Sequence, residues 1–296
     1  MNPNSELLTL NSLPPVSEMM RAANLEPKKQ FGQNFLFDLN LTGKIARAVP
    51  NIENSTVVEV GPGPGGLTRA LLAAGAARVI TIEKDRTAEP ILREIERAAA
   101  GRLEIIFGDA LKIDFFRPPW GAGAAGTAAG GGYAICSNLP YNVGTELLIR
   151  WLHIMANSRL TPHAIGLTSM TLMFQREVAE RIIARVGDKQ YGRLAVLTAL
   201  VADAKILFDV PNTAFVPKPK VQSSVVQIIP KNPDTVSGYR IPDTEALTAK
   251  LFGQRRKMIR GIMPGVDWSA FGLSGTERAE ELTPEKFAEI AAANMI

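Results

Sequence analysis

The sequence predicts a doubly wound α/β fold with a mostly parallel sheet. Three observations predict it: short β-branched runs alternate with helical stretches, the first run ends in a glycine-rich turn, and acids stand where the next two runs stop. Val57-Val58-Glu59-Val60 stops at Gly61 and reads as a strand entering a turn, with a helix from Leu67. Residues 79–82 read as the second strand, 88–100 as a charged helix, and 103–107 as a third strand ending at Gly108-Asp109. Such a β-α-β-α-β order collects ligand-binding residues at the carboxyl ends of the strands. Residues 133–136 read as a fourth strand, 145–155 as a helix, and 165–174 as a strand feeding a helix near Glu177. Residues 205–210 and 223–229 read as a closing antiparallel pair around a proline-punctuated loop that holds Phe215, Pro217 and Pro219. After Pro230 the pattern turns helical near 244–252, 254–263 and 283–295, which predicts a small all-α domain. The expected division is a loosely held extension over 1–27, a sheet domain over 28–230 and a helical domain over 231–296.

Composition bounds the function. A chain of 296 residues with 46% hydrophobic and 21% charged residues can bury a real core and is ordinary for a globular protein. A net charge of +4 permits a nucleic-acid partner without requiring one. The single cysteine, Cys136, excludes a disulfide framework and any zinc site built on several thiolates, and points to a reducing compartment. The first twenty residues carry Glu6, Glu18, Pro14 and Pro15 with no early basic cluster, unlike a signal peptide, so the chain reads as cytoplasmic. Apolar segments such as 164–174 are far shorter than the roughly 20 residues that span a bilayer, so no membrane role is expected. His153 and His163 stand in no metal-ligand spacing, Cys136 sits in an expected buried strand, and no metal is expected. The Gly/Ala-rich stretch 121–132 reads as a flexible surface loop without chemistry.

Gly61-Pro62-Gly63-Pro64-Gly65-Gly66 satisfies G-x-G-x-x-G between a strand and a helix, and Glu83 follows about 20 residues beyond Gly61, a spacing that by itself suits a dinucleotide. A pyrophosphate, however, is held by backbone N–H groups, and Pro62 and Pro64 each remove one. S-adenosylmethionine has no phosphate. It needs close backbone approach beside its methionine part and an acid for both ribose hydroxyls, for which Glu83 is placed. Asp109 adds a second acid, suited to the adenine amino group.

Ser137-Asn138-Leu139-Pro140-Tyr141 closes the fourth expected strand, where a reacting group faces the cofactor. An exocyclic adenine amine is a poor nucleophile because its lone pair is delocalised into the ring. The Asn138 side-chain oxygen and the Leu139 carbonyl can accept its two N–H bonds and favour a tetrahedral nitrogen aimed at the sulfonium methyl. Pro140 stiffens the turn, Tyr141 offers a ring on which an unstacked base can lie, and Phe215 is the candidate for its other face.

Together, Phe31-Gly32-Gln33-Asn34-Phe35-Leu36, the Gly61 loop through Leu67-Thr68, Glu83, Gly108-Asp109, residues 138–141 and residues 215–223 resemble the ribosomal RNA adenine dimethyltransferases, most closely the KsgA/RsmA group. The resemblance runs from about Lys28 to the C-terminus. It implies a class I Rossmann-like methyltransferase fold with a seven-stranded sheet. It matches Asn34, Leu36, Gly61, Glu83, Asp109 and Asn138 to positions that contact S-adenosylmethionine, and Tyr141 and Phe215 to positions flanking the target adenine. The implied reaction dimethylates two adjacent adenines in the hairpin near the 3′ end of 16S rRNA, within the 30S subunit or its precursor, during late assembly. Its product is S-adenosylhomocysteine, and a monomer is expected. A related group acting on large-subunit rRNA shares the cofactor motifs. Residues 215–221, 251–257 and 281–284 favour the small-subunit group, and the 121–132 stretch reads as an insertion.

Basic clusters at Lys28 and Lys29, at Lys218 and Lys220, and at Arg255, Arg256, Lys257 and Arg260 suit RNA phosphates. The last is expected on a helix whose other face, Met258 and Ile259, packs inward. Two other readings stay open: a noncatalytic RNA-binding assembly factor with the same fold, and a nicotinamide oxidoreductase, which Pro62, Pro64 and N-L-P-Y disfavour.

Overall fold

The computed structural model describes residues 10–27, 34–115, 132–140, 143–157, 166–232 and 241–293. Helix α1 (Val16–Ala22) precedes the short strand β1 (Phe35–Leu36) and α2 (Leu39–Ala46). The alternating unit follows: β2 (Thr56–Val60), α3 (Gly66–Ala73), β3 (Arg78–Glu83), α4 (Glu89–Ala98), β4 (Leu103–Phe107), β5 (Tyr133–Asn138), α5 (Gly144–Asn157), β6 (Leu167–Gln175), α6 (Arg176–Ile183) and α7 (Arg193–Val201). Strands β7 (Ala202–Val210), β8 (Phe215–Val216) and β9 (Ser223–Pro230) come next, then helices α8 (Ile241–Phe252), α9 (Ile259–Ile262) and α10 (Pro284–Ala292).

Among the described residues, seven strands form one sheet in the order β4-β3-β2-β5-β6-β9-β7, and β1 pairs with β8 apart from it. Strands β4 through β6 run parallel, while β9 is antiparallel to both β6 and β7. The chain winds outward from β2 through β3 to β4, then returns to lay β5 on the other side of β2. That reversal opens a crevice between the carboxyl ends of β2 and β5. The β2–β5 ladder stops at Val58↔Ile135, and beyond it the Val60 N–H donates to Ser137 Oγ at 2.8 Å. A side chain thus takes over from the ladder where the strands part.

Alternate residues of a strand face opposite sides, and both sides of this sheet are covered. Val58, Val60, Ile80, Ile82 and Ile135 pack with Trp151 of α5, Leu197 of α7, and Leu247, Leu251 and Phe287 of the C-terminal helices. Val57, Val79, Ala134 and Cys136 pack on the other side with α1 to α4. The C-terminal helices therefore share one core with the sheet, and Tyr191 Oη secures the junction by donating to Leu282 O at 2.8 Å.

Two local expectations need correction. The chain before Lys28 is not loosely held over 10–27. Val16, Met19 and Met20 recur at helical spacing and are buried, and the Arg69 guanidinium of α3 donates to the carbonyls of Pro14 at 2.7 Å, Leu10 at 3.3 Å and Leu13 at 3.4 Å. Second, the helix expected over 254–263 is helical only at Ile259–Ile262, because Met258 is extended and bridges to Arg278. Helices α2 and α7 lie where the sequence reading places no element; α7 is apolar on nearly every side and buried throughout its middle. Most of the 121–132 stretch lies outside the described residues.

Candidate active site

One cavity gathers the strand ends. Glu59 to Pro64 from β2, Glu83 and Lys84 from β3, Gly108 to Leu111 after β4 and Asn138 to Pro140 from β5 line it, together with Asn34 to Leu36 and the first residues of α3. The glycine loop takes a conformation that L side chains avoid, with φ of 69° at Gly61, 53° at Gly63 and 80° at Gly65. It is also crowded: a Cβ on Gly63 would stand 2.7 Å from the Phe35 ring, and one on Gly66 2.7 Å from Leu36 O. The β1–β8 pair can therefore lie directly on the loop.

Three of the loop's backbone donors are already used. Gly61 N–H donates to Ile82 O at 2.9 Å, Gly63 N–H to Glu83 Oε2 at 3.0 Å and Gly65 N–H to Pro62 O at 2.9 Å, while Pro62 and Pro64 have none. A pyrophosphate would find few loop donors here, which weighs against the dinucleotide reading. The wall instead presents acid. Glu59 and Glu83 are 2% and 5% exposed. Glu83 accepts from Gly63 N–H and, at Oε1, from Asp85 N–H at 2.7 Å; burial pushes its pKa up and these bonds pull it back. The carboxyl keeps acceptor capacity beyond these bonds and so can take a ribose hydroxyl. Glu59 accepts from Thr68 Oγ1 at 2.6 Å, and burial pushes its pKa to about 8, with the nearby Glu83 adding to the rise. A phosphate-free cation such as S-adenosylmethionine fits these walls.

Asp109 caps the turn after β4 by accepting from Leu111 N–H at 3.0 Å, and Lys84 Nζ donates to its Oδ2 at 2.8 Å. The Lys84 bond, and then that from Leu111, hold the Asp109 carboxyl below its usual range. Across the crevice, Asn138 Nδ2 donates to Asn34 O at 3.0 Å. A carbonyl only accepts, so this bond fixes which way round the amide sits and leaves Oδ1 as its acceptor. Leu139 is 2% exposed, and Pro140 O receives the N–H groups of Val143 and Gly144 as the chain turns into α5. A Cβ on Gly61 would be 3.6 Å from Pro140 Cδ, so the cofactor loop and the reactive motif face each other closely.

The other expected residues divide. Tyr141, Lys28, Lys29 and His163 lie outside the described residues. Phe215 requires correction: at 2% exposure its ring belongs to the core with Phe35 and Leu36, and it does not line the cavity. The ladder pairing Leu36↔Phe215 still ties its strand to the cavity wall. Lys218, Lys220, Arg256, Lys257 and Arg260 are exposed, but Arg255 is engaged with Glu280 and donates from Nη1 to Lys189 O at 2.9 Å. These contacts hold Arg255 against the 279–281 turn instead of on an outward helical face. His153 Nε2 lies 2.9 Å from Glu245 Oε2, linking α5 to α8, and burial pushes the Cys136 thiol up. Sequence reasoning missed Glu59, Lys84 and Ser137. Only Glu59 left a signal, an acid inside a β-branched run.

No helix among the described residues is long and apolar enough to cross a membrane. The family model of ribosomal RNA adenine dimethylase matches residues 24–293. A "Ribosomal RNA small subunit methyltransferase A" of Chelativorans sp. (strain BNC1) is 49% identical over 291 residues, covering 96% of this chain and 99% of the relative. One of the same name from Azorhizobium caulinodans is 50% identical over 288 residues, covering 95% and 93%. Among solved structures, a dimethyladenosine transferase from Plasmodium falciparum superposes with a TM-score of 0.68 at 23% identity, covering 87% of this chain and 95% of that one. The 23S rRNA methyltransferase ErmE superposes at 0.62 with 22% identity, covering 88% and 99%. These two show the shared fold. By the extent of the family match and the near-full-length identity of its relatives, the chain belongs to the ribosomal RNA adenine dimethylase family.

Proposed function

We propose that the chain dimethylates N6 of two adjacent adenines in the hairpin near the 3′ end of 16S rRNA, in the 30S subunit or its precursor, late in assembly. The relatives' shared name supports the small-subunit choice. The observation that carries the chemistry is the Asn138 amide, held by Asn34 O beside the glycine loop with its oxygen left as acceptor. Asn138 Oδ1 and Leu139 O accept the two N6–H bonds and turn the nitrogen lone pair outward. When bound, S-adenosylmethionine would supply an electrophilic methyl on its sulfonium: the C–N bond would form as the C–S bond breaks, S-adenosylhomocysteine would leave, and the proton from N6 would pass to solvent. Glu83 would hold the ribose and Asp109 the adenine of that cofactor, with Asn34, Leu36 and Gly61 also lining its cavity. Tyr141 stacks on the target base. Phe215 pairs across β1 and β8 with Leu36 of the cavity wall.

In this reading residues 28–230 carry the reaction and 231–296 contact RNA, helped by Lys218, Lys220, Arg256 and Lys257. The protein works in the cytoplasm as a monomer. The test is transfer of labelled methyl to immature small subunits, mature small subunits and large-subunit RNA, with the product nucleoside identified by mass spectrometry. N6,N6-dimethyladenosine in small-subunit RNA alone is expected. Label in large-subunit RNA overturns the substrate, and absence of label with cofactor bound makes the protein an assembly factor.

A further inference from the structure

Lys84 follows the ribose acid Glu83 directly, yet reaches across to the next strand end. Its Nζ lies 2.8 Å from Asp109 Oδ2, and both residues line the cavity. The ends of β3 and β4 are also laced by Gly108 N–H donating to Glu83 O at 2.8 Å, so the two acids are held on one frame. Asp109 Oδ1 is fixed by Leu111 N–H, and Oδ2 would be free to swing without the ammonium. The Lys84 side chain is 61% exposed and that of Asp109 23% exposed, so the pair sits at the cavity rim.

We propose that Lys84 is a positioning residue that pins the Asp109 carboxylate as the hydrogen-bond acceptor for the cofactor's 6-amino group, and so sets selectivity for adenosine over 6-oxo nucleosides. This rests on the reading that Asp109 faces the adenine. A carboxylate fixed at both oxygens keeps one lone pair aimed along the base edge, where an amine donates and an oxo group is repelled. The ammonium adds orientation; an exposed carboxylate is ionised at neutral pH without help.

The experiment is calorimetric binding of S-adenosylhomocysteine and of its inosyl counterpart, in which oxygen replaces the amine, to the full-length protein. Exposed ion pairs are worth up to about a fivefold change in affinity. Lys84→Met is expected to weaken S-adenosylhomocysteine about three- to fivefold, to change inosyl binding by less than about twofold, and to leave RNA affinity unchanged. Lys84→Arg restores the preference, and high salt reduces it in the wild type. If Asp109→Ala abolishes the preference while Lys84→Met leaves it intact, the positioning role is overturned and the Asp109 reading stands. If Asp109→Ala also leaves the preference intact, the Asp109 reading itself fails. Loss of RNA affinity in Lys84→Met with nucleoside binding untouched would assign the ammonium to phosphate and overturn the proposal.

Discussion

Replacing Glu59 by Gln should make the ligand-free protein more stable at alkaline pH. Glu59 is buried beneath the glycine loop with the Thr68 hydroxyl as its partner and Glu83 nearby, and its pKa rises from 4.5 to about 8. Below about 4.5 the carboxyl holds its proton in both folded and unfolded chains, so it costs nothing. Above that, the unfolded chain releases the proton while the folded one keeps it, and stability falls until the pH passes about 8. At about 1.4 kcal/mol per pH unit, roughly 3 kcal/mol is lost between pH 5.5 and 8 from this one group. Gln keeps the shape, and its carbonyl still accepts the Thr68 hydroxyl, but it does not titrate. Urea unfolding of both proteins at pH 5.5, 6.5 and 8 should therefore show curves that diverge as pH rises, with the variant ahead by a few kcal/mol at pH 8. A cationic cofactor beside Glu59 would draw the proton off, so wild-type binding should release a proton that calorimetry in buffers of different ionisation enthalpy detects, and the variant should release none. Parallel stability curves for the two proteins would refute the argument.

Other consequences follow from the same geometry. Asn138→Ala should keep much of its S-adenosylhomocysteine affinity while single-turnover methyl transfer falls more than about tenfold, because the amide acts chiefly in the transition state; wild-type turnover would remove Asn138 from the mechanism. Gly66→Ala would push a Cβ to 2.7 Å from Leu36 O, so cofactor affinity and melting temperature should drop together. Arg69→Met strips three carbonyls of the 10–14 segment of their donor, and limited proteolysis should nick the chain near there at a destabilisation of about 1–3 kcal/mol. Replacing Arg256 and Lys257 together by Ala should flatten the salt dependence of RNA binding by a log–log slope of roughly 1.5, whereas Arg255→Ala should act on stability through its Glu280 and Lys189 contacts.

The alternating core was legible because its strands read as short, largely apolar runs, with β2, β3 and β5 buried on both faces. Leu103–Phe107 matches the expected strand residue for residue, and β5 runs only two residues beyond its expected end. The cavity was legible for the same reason: strand ends in a doubly wound sheet converge, so Gly61, Glu83, Asp109 and Asn138 meet although they are far apart in the chain. Helix α7 was not legible, because nine residues of nearly uniform apolarity have no period to read. Nor was the anchoring of residues 10–27, which depends on a guanidinium supplied by α3.

By itself the sequence determined the parallel sheet, the glycine loop with its two missing donors and the acids and amide at the strand ends, since these follow from local propensity and from the chemistry of single residues. Only the tertiary structure decided which of those groups were already engaged. It spent the Gly61, Gly63 and Gly65 N–H groups within the protein, turned the Asn138 amide with Asn34 O, drew Phe215 into the core and committed Arg255 to Glu280. Hydrogen-bond partners and burial are set by residues distant in sequence, and they determine which polar atoms remain available to a ligand.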